Sequence, residues 1–395
     1  MITLLLVIIY IAFISLGLPD AMLGSAWPLM SSDLAVSLSS AGLISMTISA
    51  GTIVSSLLSG KIIDKLGTGK VTAISVAMTA VALLGFSFSN GYFWLILMAI
   101  PLGLGAGSVD TALNNFVALH YSARHMSWLH CFWGVGATTG PIIMGRAIAK
   151  NGLWKDGYLT VAIIQIILVI VLFISLPLWN VVNKNKDEDI NEEVLDIDEN
   201  KSKNIFKIPG LKTILLGFLC YCALESTAGL WGASYLVNAK GISPEKAASW
   251  ISIYYLGITI GRFINGFITA KLTNRELIRI GQGIIGFGAL TLVLFDKSFM
   301  NLIGLILIGL GCAPIFPSII HETPTSFGKE NSSRVIGLQM AFAYIGNTLV
   351  PPTLGLVMEK IGITLYPIFI LLILVVMILS LEKTNKLVDL NKVNK

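Results

Sequence analysis

Three acids stand where a greasy chain has least room for charge. They are Asp20 in GLPDAMLGSAW (17–27), Asp110 in GSVDTALNNF (107–116) and Glu225 at the head of ESTAGLWGASY (225–235). The run before Asp110, FWLILMAIPLGLGA, is almost wholly apolar. A carboxylate inside such a segment costs energy unless it pairs with a cation or lines a wet cavity, and a wet cavity makes it functional. Two kinds of chemistry are open to it there: binding and releasing a proton, and accepting hydrogen bonds from a polar solute.

The neighbours of these acids fit that role. Asn114 lies four residues after Asp110, on the same helical face, with Asn115 beside it. Trp27 follows Asp20 by seven residues, which is again one face. His130 and Trp133 are three apart, next to Gly134. Trp231 follows Glu225 by six, which turns it off the acid's face unless Gly229 and Gly232 bend or unwind the helix. Gln339, Ala343 and Asn347 make a polar-edged stripe at helical spacing. Arg262, after Gly261, is the candidate to balance Glu225 or another buried acid. Acid, amides and flat rings together suit a polyhydroxylated solute, whose hydroxyls need donors and acceptors while its C–H face lies on an aromatic surface. Each residue also has a plainer reading. Asp20 could cap a break at Pro19, Asp110 could belong to a structural ion pair, and His130 and the 339–347 stripe could satisfy neighbouring helices.

The elements that must hold these residues are membrane helices. The chain has 395 residues, of which 55% are hydrophobic and only 12% charged, with a mean hydropathy of +0.81. A soluble domain carries about 25% charged residues. Apolar runs long enough to cross a bilayer are expected near 3–29, 38–60, 71–89, 92–119, 126–148, 158–182, 210–237, 247–270, 277–295, 299–320, 333–357 and 362–381. The opening MITLLLVIIYIAFISLGL lacks a basic start and a clear cleavage site, so it reads as a retained first span rather than a signal peptide. The polar stretch 183–209 divides the spans six and six. The expected organisation is a six-helix half at 1–182, a linker loop at 183–209, a second six-helix half at 210–382 and a tail at 383–395.

Cys131, Cys220, Cys222 and Cys312 all sit in apolar segments and read as small buried hydrophobes. No zinc spacing, P-loop or dinucleotide fingerprint is present, so no metal, cofactor or ATP chemistry is expected, and no enzyme. The net charge of +5 comes from scattered basic residues, not from one field, and does not point to nucleic acid. The expected partners are a small polar solute, a proton and membrane lipid, with the chain acting as a monomer.

Orientation follows from Lys and Arg. With the N-terminus inside, the inner segments hold Lys61, Lys65, Lys70, Arg124, Lys184, Lys186 and many of the later basic residues. The outer segments hold only Lys150, Lys155, Lys240, Lys246, Lys297 and Lys360. Both termini and the central loop are therefore expected in the cytoplasm of a cell-membrane protein.

The two halves also repeat one another. GTIVSSLLSG (51–60) matches GITIGRFING (257–266), and GLGAGSVD (103–110) faces GLGCAPIF (309–316) at the same displacement. FWGVGATTGP (132–141) faces FAYIGNTLVPP (342–352). Two related halves around a midplane cavity make a machine that can rock between two open states.

Between the second and third spans, GKIIDKLGTGK (60–70) carries Gly60, Asp64, Lys65, Gly67 and a basic end at Lys70. With twelve spans and a duplicated half, this loop resembles that of the major facilitator superfamily. The resemblance implies an all-α integral membrane fold of twelve transmembrane helices in two pseudo-symmetric six-helix halves. It also implies a conformational latch at Gly60, Asp64, Lys65, Gly67 and Lys70. The second-half counterpart, GFITAKLTNRE (266–276), has Ala270 in place of the acid and keeps Lys271, so the latch is expected to be asymmetric. Within the superfamily, GLPDAMLGSAW, GSVDTALNNF, LHCFWGVGATTGP (129–141) and APIFPSIIHETPTSFG (313–328) look most like the fucose–glucose–galactose proton symporter branch. That likeness implies proton-coupled sugar uptake by alternating access, with Asp110 as the coupling acid assisted by Asp20 or Glu225. The rivals are a proton antiporter exporting drugs or metabolites, and a lipid or glycolipid flippase.

Overall fold

A computed structural model describes residues 2–121, 123–184, 207–268, 271–295 and 298–393. The linker between 185 and 206, together with Ala270 and Lys297, lies outside the described residues. The first span is two helices, α1 (Ile2–Asp20) and α2 (Met22–Asp33). There follow α3 (Ser40–Leu66), α4 (Thr68–Ser87), α5 (Tyr92–His120), α6 (Ala123–Asn151) and α7 (Trp154–Lys184). The second half holds α8 (Leu211–Asn238), α9 (Pro244–Ile268), α10 (Asn274–Leu294), the pair α11 (Ser298–Cys312) and α12 (Ile315–Phe327), then α13 (Lys329–Ile361) and α14 (Tyr366–Val393). The fold is all-α, with twelve membrane-spanning segments in two pseudo-symmetric halves.

Eleven of the spans pass on length and apolarity alone. The more polar remaining one is α6, which carries His125, His130, Trp133 and Arg146. The outward faces are greasy instead of wet: Phe93, Leu57 and Ile174 are 84%, 79% and 75% exposed, as side chains bathed in lipid should be. The last helix runs unbroken to Val393, through the segment expected as a tail at 383–395.

Among the described residues, only the first and tenth spans are broken. The first breaks at Ala21, just past Pro19, which has no N–H to give the preceding turn. The tenth breaks at Ala313 and Pro314 for the same reason. The unwinding expected at Gly229 and Gly232 does not occur: α8 is continuous from Leu211 to Asn238.

Repeat-related contacts fall on repeat-related residues. A methyl group at Gly103 would overlap the Ile48 carbonyl oxygen, where α5 crosses α3. At Gly309 it would overlap the Tyr254 carbonyl oxygen, where α11 crosses α9. Gly136 of α6 packs on the Ile14 carbonyl as Gly346 of α13 packs on that of Leu219. Small residues let these backbones touch where no hydrophobic drive exists between helices in lipid. Buried polar groups add to this: Gln165 of α7 donates to the Ser15 carbonyl at 2.8 Å and accepts from Thr79 at 2.7 Å, joining α1, α4 and α7.

The halves meet chiefly through α6 with α9, α3 with α13, and α2 with α8 and α9. Gly24 and Gly229, which are repeat mates, press backbone against backbone. Gly145 meets Ser249, Gly42 meets Pro352, and the Ser39 amide donates to Glu359 at 3.1 Å. These contacts cluster at the end away from the termini, here the far end. At the terminal end, α1 and α12 pack on helices of their own halves. Asp20, midway along the first span, is solvent-exposed, and so is His130. The halves therefore meet most closely at the far end, and mid-span side chains between them stay accessible.

Gly67 earns its place in the 60–70 turn by geometry. Its φ of +78° links α3 to α4 in a conformation that side chains strain to adopt. Gly60, at the head of the same turn, stands in open space. A methyl there would meet nothing within 4 Å, so no close helix contact depends on it in this state.

The twin contacts carry a test. Gly103→Val and Gly309→Val should each destabilise the protein by about 1–3 kcal/mol, since backbone oxygens cannot move aside. Gly60→Ala should stay within roughly 0.5 kcal/mol of the parent. Thermal unfolding in detergent reads all three, and a tolerated Gly309→Val or a costly Gly60→Ala would contradict the packing described.

Candidate functional site

The acids of the first and seventh spans are repeat mates. The displacement that carries Gly24 onto Gly229 carries Asp20 onto Glu225. Asp20 ends α1 at the break and Glu225 lies midway along α8, the matching place in the second half.

Each acid is held by a donor from a neighbouring helix. The Trp133 indole N–H of α6 donates to Asp20 Oδ2 at 2.7 Å. Arg262 Nη2 of α9 lies 3.5 Å from Glu225 Oε1. The Tyr221 hydroxyl, one turn earlier on α8, donates to the other Glu225 oxygen. The two donors touch: the Arg262 guanidinium carbon sits 5.5 Å from the centre of the Trp133 ring, within cation–π range. Asp20, Trp133, Arg262 and Glu225 thus form one chain of polar contacts that starts in the first half and ends in the second. Arg262 and Glu225 keep 19% and 18% of their side-chain surface accessible, so a solute in the cavity can reach both.

Asp110 of α5 sits apart from this chain. Asn114 Nδ2 donates to its Oδ1 at 2.9 Å and to its carbonyl at 3.0 Å, the local pairing expected of residues four apart. Among the described residues neither Asp110 nor Asp20 belongs to an ion pair. The cavity region therefore holds three carboxyls against one guanidinium. Tyr344 of α13 reaches across the interface to Ser56 of α3 and lies close enough to Asp110 to feel its charge. Asn347 accepts from Ser226 at 2.6 Å, and both are half-buried beside the Glu225 turn. His130 is exposed and sets its ring edge-on to Phe13 at 5.8 Å. Asn115 is exposed.

Three expected site residues are turned elsewhere. Trp27 is fully buried, and its indole N–H donates to the Leu38 carbonyl at 2.8 Å. The break at Ala21 puts it on a different helix from Asp20, so the seven-residue spacing no longer means a shared face. Trp231 is fully buried against Gly355 and donates to the Pro351 carbonyl at 2.8 Å, on a helix that does not unwind at Gly229 or Gly232. Gln339 is fully buried and accepts from Thr323 at 3.1 Å, a bond between helices of the second half. Of the expected latch, Lys65 and Lys70 are exposed, while the Asp64 side chain lies outside the described residues.

The structure adds residues that the sequence reading passed over. Tyr221, Ser226 and Tyr344 join the site. At the terminal end, Arg275 pairs with Asp389 at 2.9 Å and 3.0 Å and with Glu322 at 3.5 Å. Arg279 pairs with Glu382 at 2.6 Å and 2.8 Å. These bonds tie α10 and α12 to the extension of α14 within the second half. The sequence signal was the capping box that starts α10, Thr273 with Glu276, which fixes where Arg275 and Arg279 emerge.

Twelve spans in duplicated halves, which meet most closely at one end and carry acids at mid-span, define a secondary transporter rather than an enzyme. The family model described as Major Facilitator Superfamily matches residues 9–243 and 213–388, and the chain belongs to that superfamily. It is 23% identical to the glucose/mannose transporter GlcP of Bacillus subtilis (strain 168), over 71% of this chain and 70% of that one. It is 24% identical to the hexuronate transporter of the same organism, over 86% and 84%. Among solved structures, the fold is similar to a bacterial homolog of the human lysosomal transporter Spinster in an inward-facing, unoccupied conformation. The TM-score is 0.75 at 11% identity, with 97% of this chain and 98% of that one covered. A point mutant of the nucleoside transporter NupG gives 0.73 at 15% identity, covering 96% and 98%.

The aromatic residues separate site from scaffold. Trp133→Ala should weaken solute binding by about 10-fold or more, since it removes both the donor to Asp20 and the ring under Arg262. Trp231→Ala should leave the affinity of the folded fraction unchanged and lower stability by about 3–5 kcal/mol, the cost of a core truncation. Paired binding and melting measurements on purified protein check this, and a binding loss confined to Trp231→Ala would move the cavity.

Proposed function

We propose that the protein takes up a small polyhydroxylated solute, a sugar or sugar derivative, together with protons, by alternating access. The observation that carries this reading is the chain Asp20–Trp133–Arg262–Glu225, set at mid-span in a water-accessible cavity and joining the two halves. A solute lodged there touches both halves at once, which is what a rocking transporter needs. The rings, amides and carboxyls around it can pair with several hydroxyls. The names of the glucose/mannose and hexuronate relatives support the same solute class.

The excess of lysine and arginine at the terminal end supports the reading that this end faces the cytoplasm of a cell-membrane protein. The state described is then inward-open, and the far-end contacts around Gly24, Gly42 and Gly145 are the closed outer gate.

Proton coupling follows from charge balance. Among the described residues, Glu225 has Arg262, while Asp110 has the Asn114 amide and no ion pair. Closing the cavity around an unpaired carboxylate is costly in a medium of low dielectric constant. A proton taken from the outside removes that cost, the occluded state forms with solute bound, and water entering from the inside lets the proton leave. Asp20, held by one neutral donor, assists in the same way. The 60–70 turn, with Asp64 at the same rim, serves as the latch that holds the halves together when the inner end closes.

Asp110→Asn keeps the shape and the hydrogen-bonding head but cannot titrate. It should abolish accumulation of solute against its gradient, while sparing binding and solute–solute exchange. Proteoliposomes with and without an imposed pH gradient read the first, and counterflow in the same vesicles reads the second. A variant that still concentrates solute would remove Asp110 from the coupling role. Exchange of protons for an organic cation, drawn by the three carboxyls, would instead establish the antiporter reading.

A further inference from the structure

Among the described residues, three arginines pair with acids, and they are used very differently. Arg279 makes two short bonds to one carboxylate, at 2.6 Å and 2.8 Å, and Arg275 does the same to Asp389 at 2.9 Å and 3.0 Å. Both stand at the terminal end, where such pairs add little. Arg262 lies inside a span, where an unmet charge costs most. Yet its bond to Glu225 is a single contact at 3.5 Å, well beyond the 2.7–2.9 Å typical of a charged pair. Glu225 meanwhile draws a close bond from the Tyr221 hydroxyl. The rest of the guanidinium rests near the Trp133 ring, which offers its π-face and no lone pair. A guanidinium has five N–H donors in a planar fork; besides Glu225 this one also hydrogen-bonds the Tyr221 hydroxyl, which still leaves N–H groups unspent, and a fifth of the side chain is open to the cavity.

We propose that the free edge of the Arg262 fork binds a carboxylate of the solute, so that the transported molecule is a sugar acid rather than a neutral sugar. A carboxylate matches two parallel N–H donors in one plane. Its single charge is the amount one guanidinium can accept while still beside Glu225. A phosphate ester, with nearly two charges, would set three negative charges against one cation. The sugar ring then extends from Arg262 toward the Ser226–Asn347 pair on one side and the Trp133–Asp20 pair on the other. Asp20 and Asp110 repel an anion while ionised, so the proton-loaded state of the cycle is the one that admits it.

The inference rests on the sugar-uptake reading above, and its test separates the two. D-Galacturonate and D-glucuronate differ from D-galactose and D-glucose only in carrying a carboxylate at the sixth carbon. Binding of all four to purified protein in nanodiscs should favour the uronates by about 10-fold or more, the scale of one charge-assisted bond. Arg262→Gln should erase that preference by weakening uronate binding far more than neutral-sugar binding, and Arg262→Lys should restore only part of it, because an ammonium cannot form the parallel pair. Removing Arg262 leaves Glu225 alone in the span, so the double variant Glu225→Gln/Arg262→Gln is measured beside it, with folding checked by thermal melting. It should also bind both classes alike. Neutral sugars binding as well as uronates to the parent would overturn the inference and leave the sugar reading intact. A uronate preference that survives in the folded variants would place the carboxylate elsewhere and overturn it too. If neither class binds the folded parent, both the inference and the sugar reading fall.

Discussion

The structure turns on the cost of a charge inside a membrane. Glu225 and Arg262 are tolerable in mid-span because each reduces the other's penalty, and because Tyr221 and Trp133 supply contacts where water would otherwise be needed. That requirement fixes the positions of α8 and α9 relative to each other. It also draws α6 from the other half toward α9, since the Trp133 ring lies by the guanidinium and its N–H reaches on to Asp20. A polar necessity in one half thereby becomes a tie between halves. The small residues of α6 and α9, Gly134 against Thr259 and Gly145 against Ser249, let the backbones come close enough for that tie to form.

Duplication explains why the acids hold matching places. Asp20 and Glu225 occupy one position of an ancestral half, but they have been given different partners: a neutral indole for the first, a guanidinium for the second. The place matching Asp110 in the second half is Phe316, which packs on Phe218 and Tyr221. The first half therefore holds the carboxyls without ionic partners, and the second half holds the charge pair. Proton binding and solute anchoring can be divided between halves that move against each other, which gives each half a separate hold on the transport cycle.

Much of the fold could be read from the chain, because a membrane helix announces itself by length and apolarity, and glycine marks where two of them touch. The GTIVSSLLSG and GITIGRFING match located real contacts, at Gly51 with the backbone around Gly103 and at Gly257 with that of α11. The site was legible only in part. Helical spacing says which residues share a face but not what that face meets. It grouped Asp110 with Asn114, which do bond, and grouped Asp20 with Trp27, which a one-residue break at Ala21 sets on separate helices. Trp133, Trp27 and Trp231 look alike in sequence, and only packing distinguishes the one beside the acid from the two buried in scaffold. The equivalence of Asp20 and Glu225 was available from the repeat, one step beyond the glycine matches.

The central claim is that the halves rock about this mid-span tie, so that one end closes as the other opens. Spin labels at Ser32 and Lys360 span the far end, and labels at Lys65 and Lys383 span the terminal end. Distances measured for both pairs in lipid, as the pH is lowered from mildly alkaline to mildly acidic, should shift reciprocally: the far-end pair gains a longer population while the terminal-end pair gains a shorter one. A terminal-end distance that stays long whatever the far-end pair does, or two pairs that lengthen together, would contradict the account.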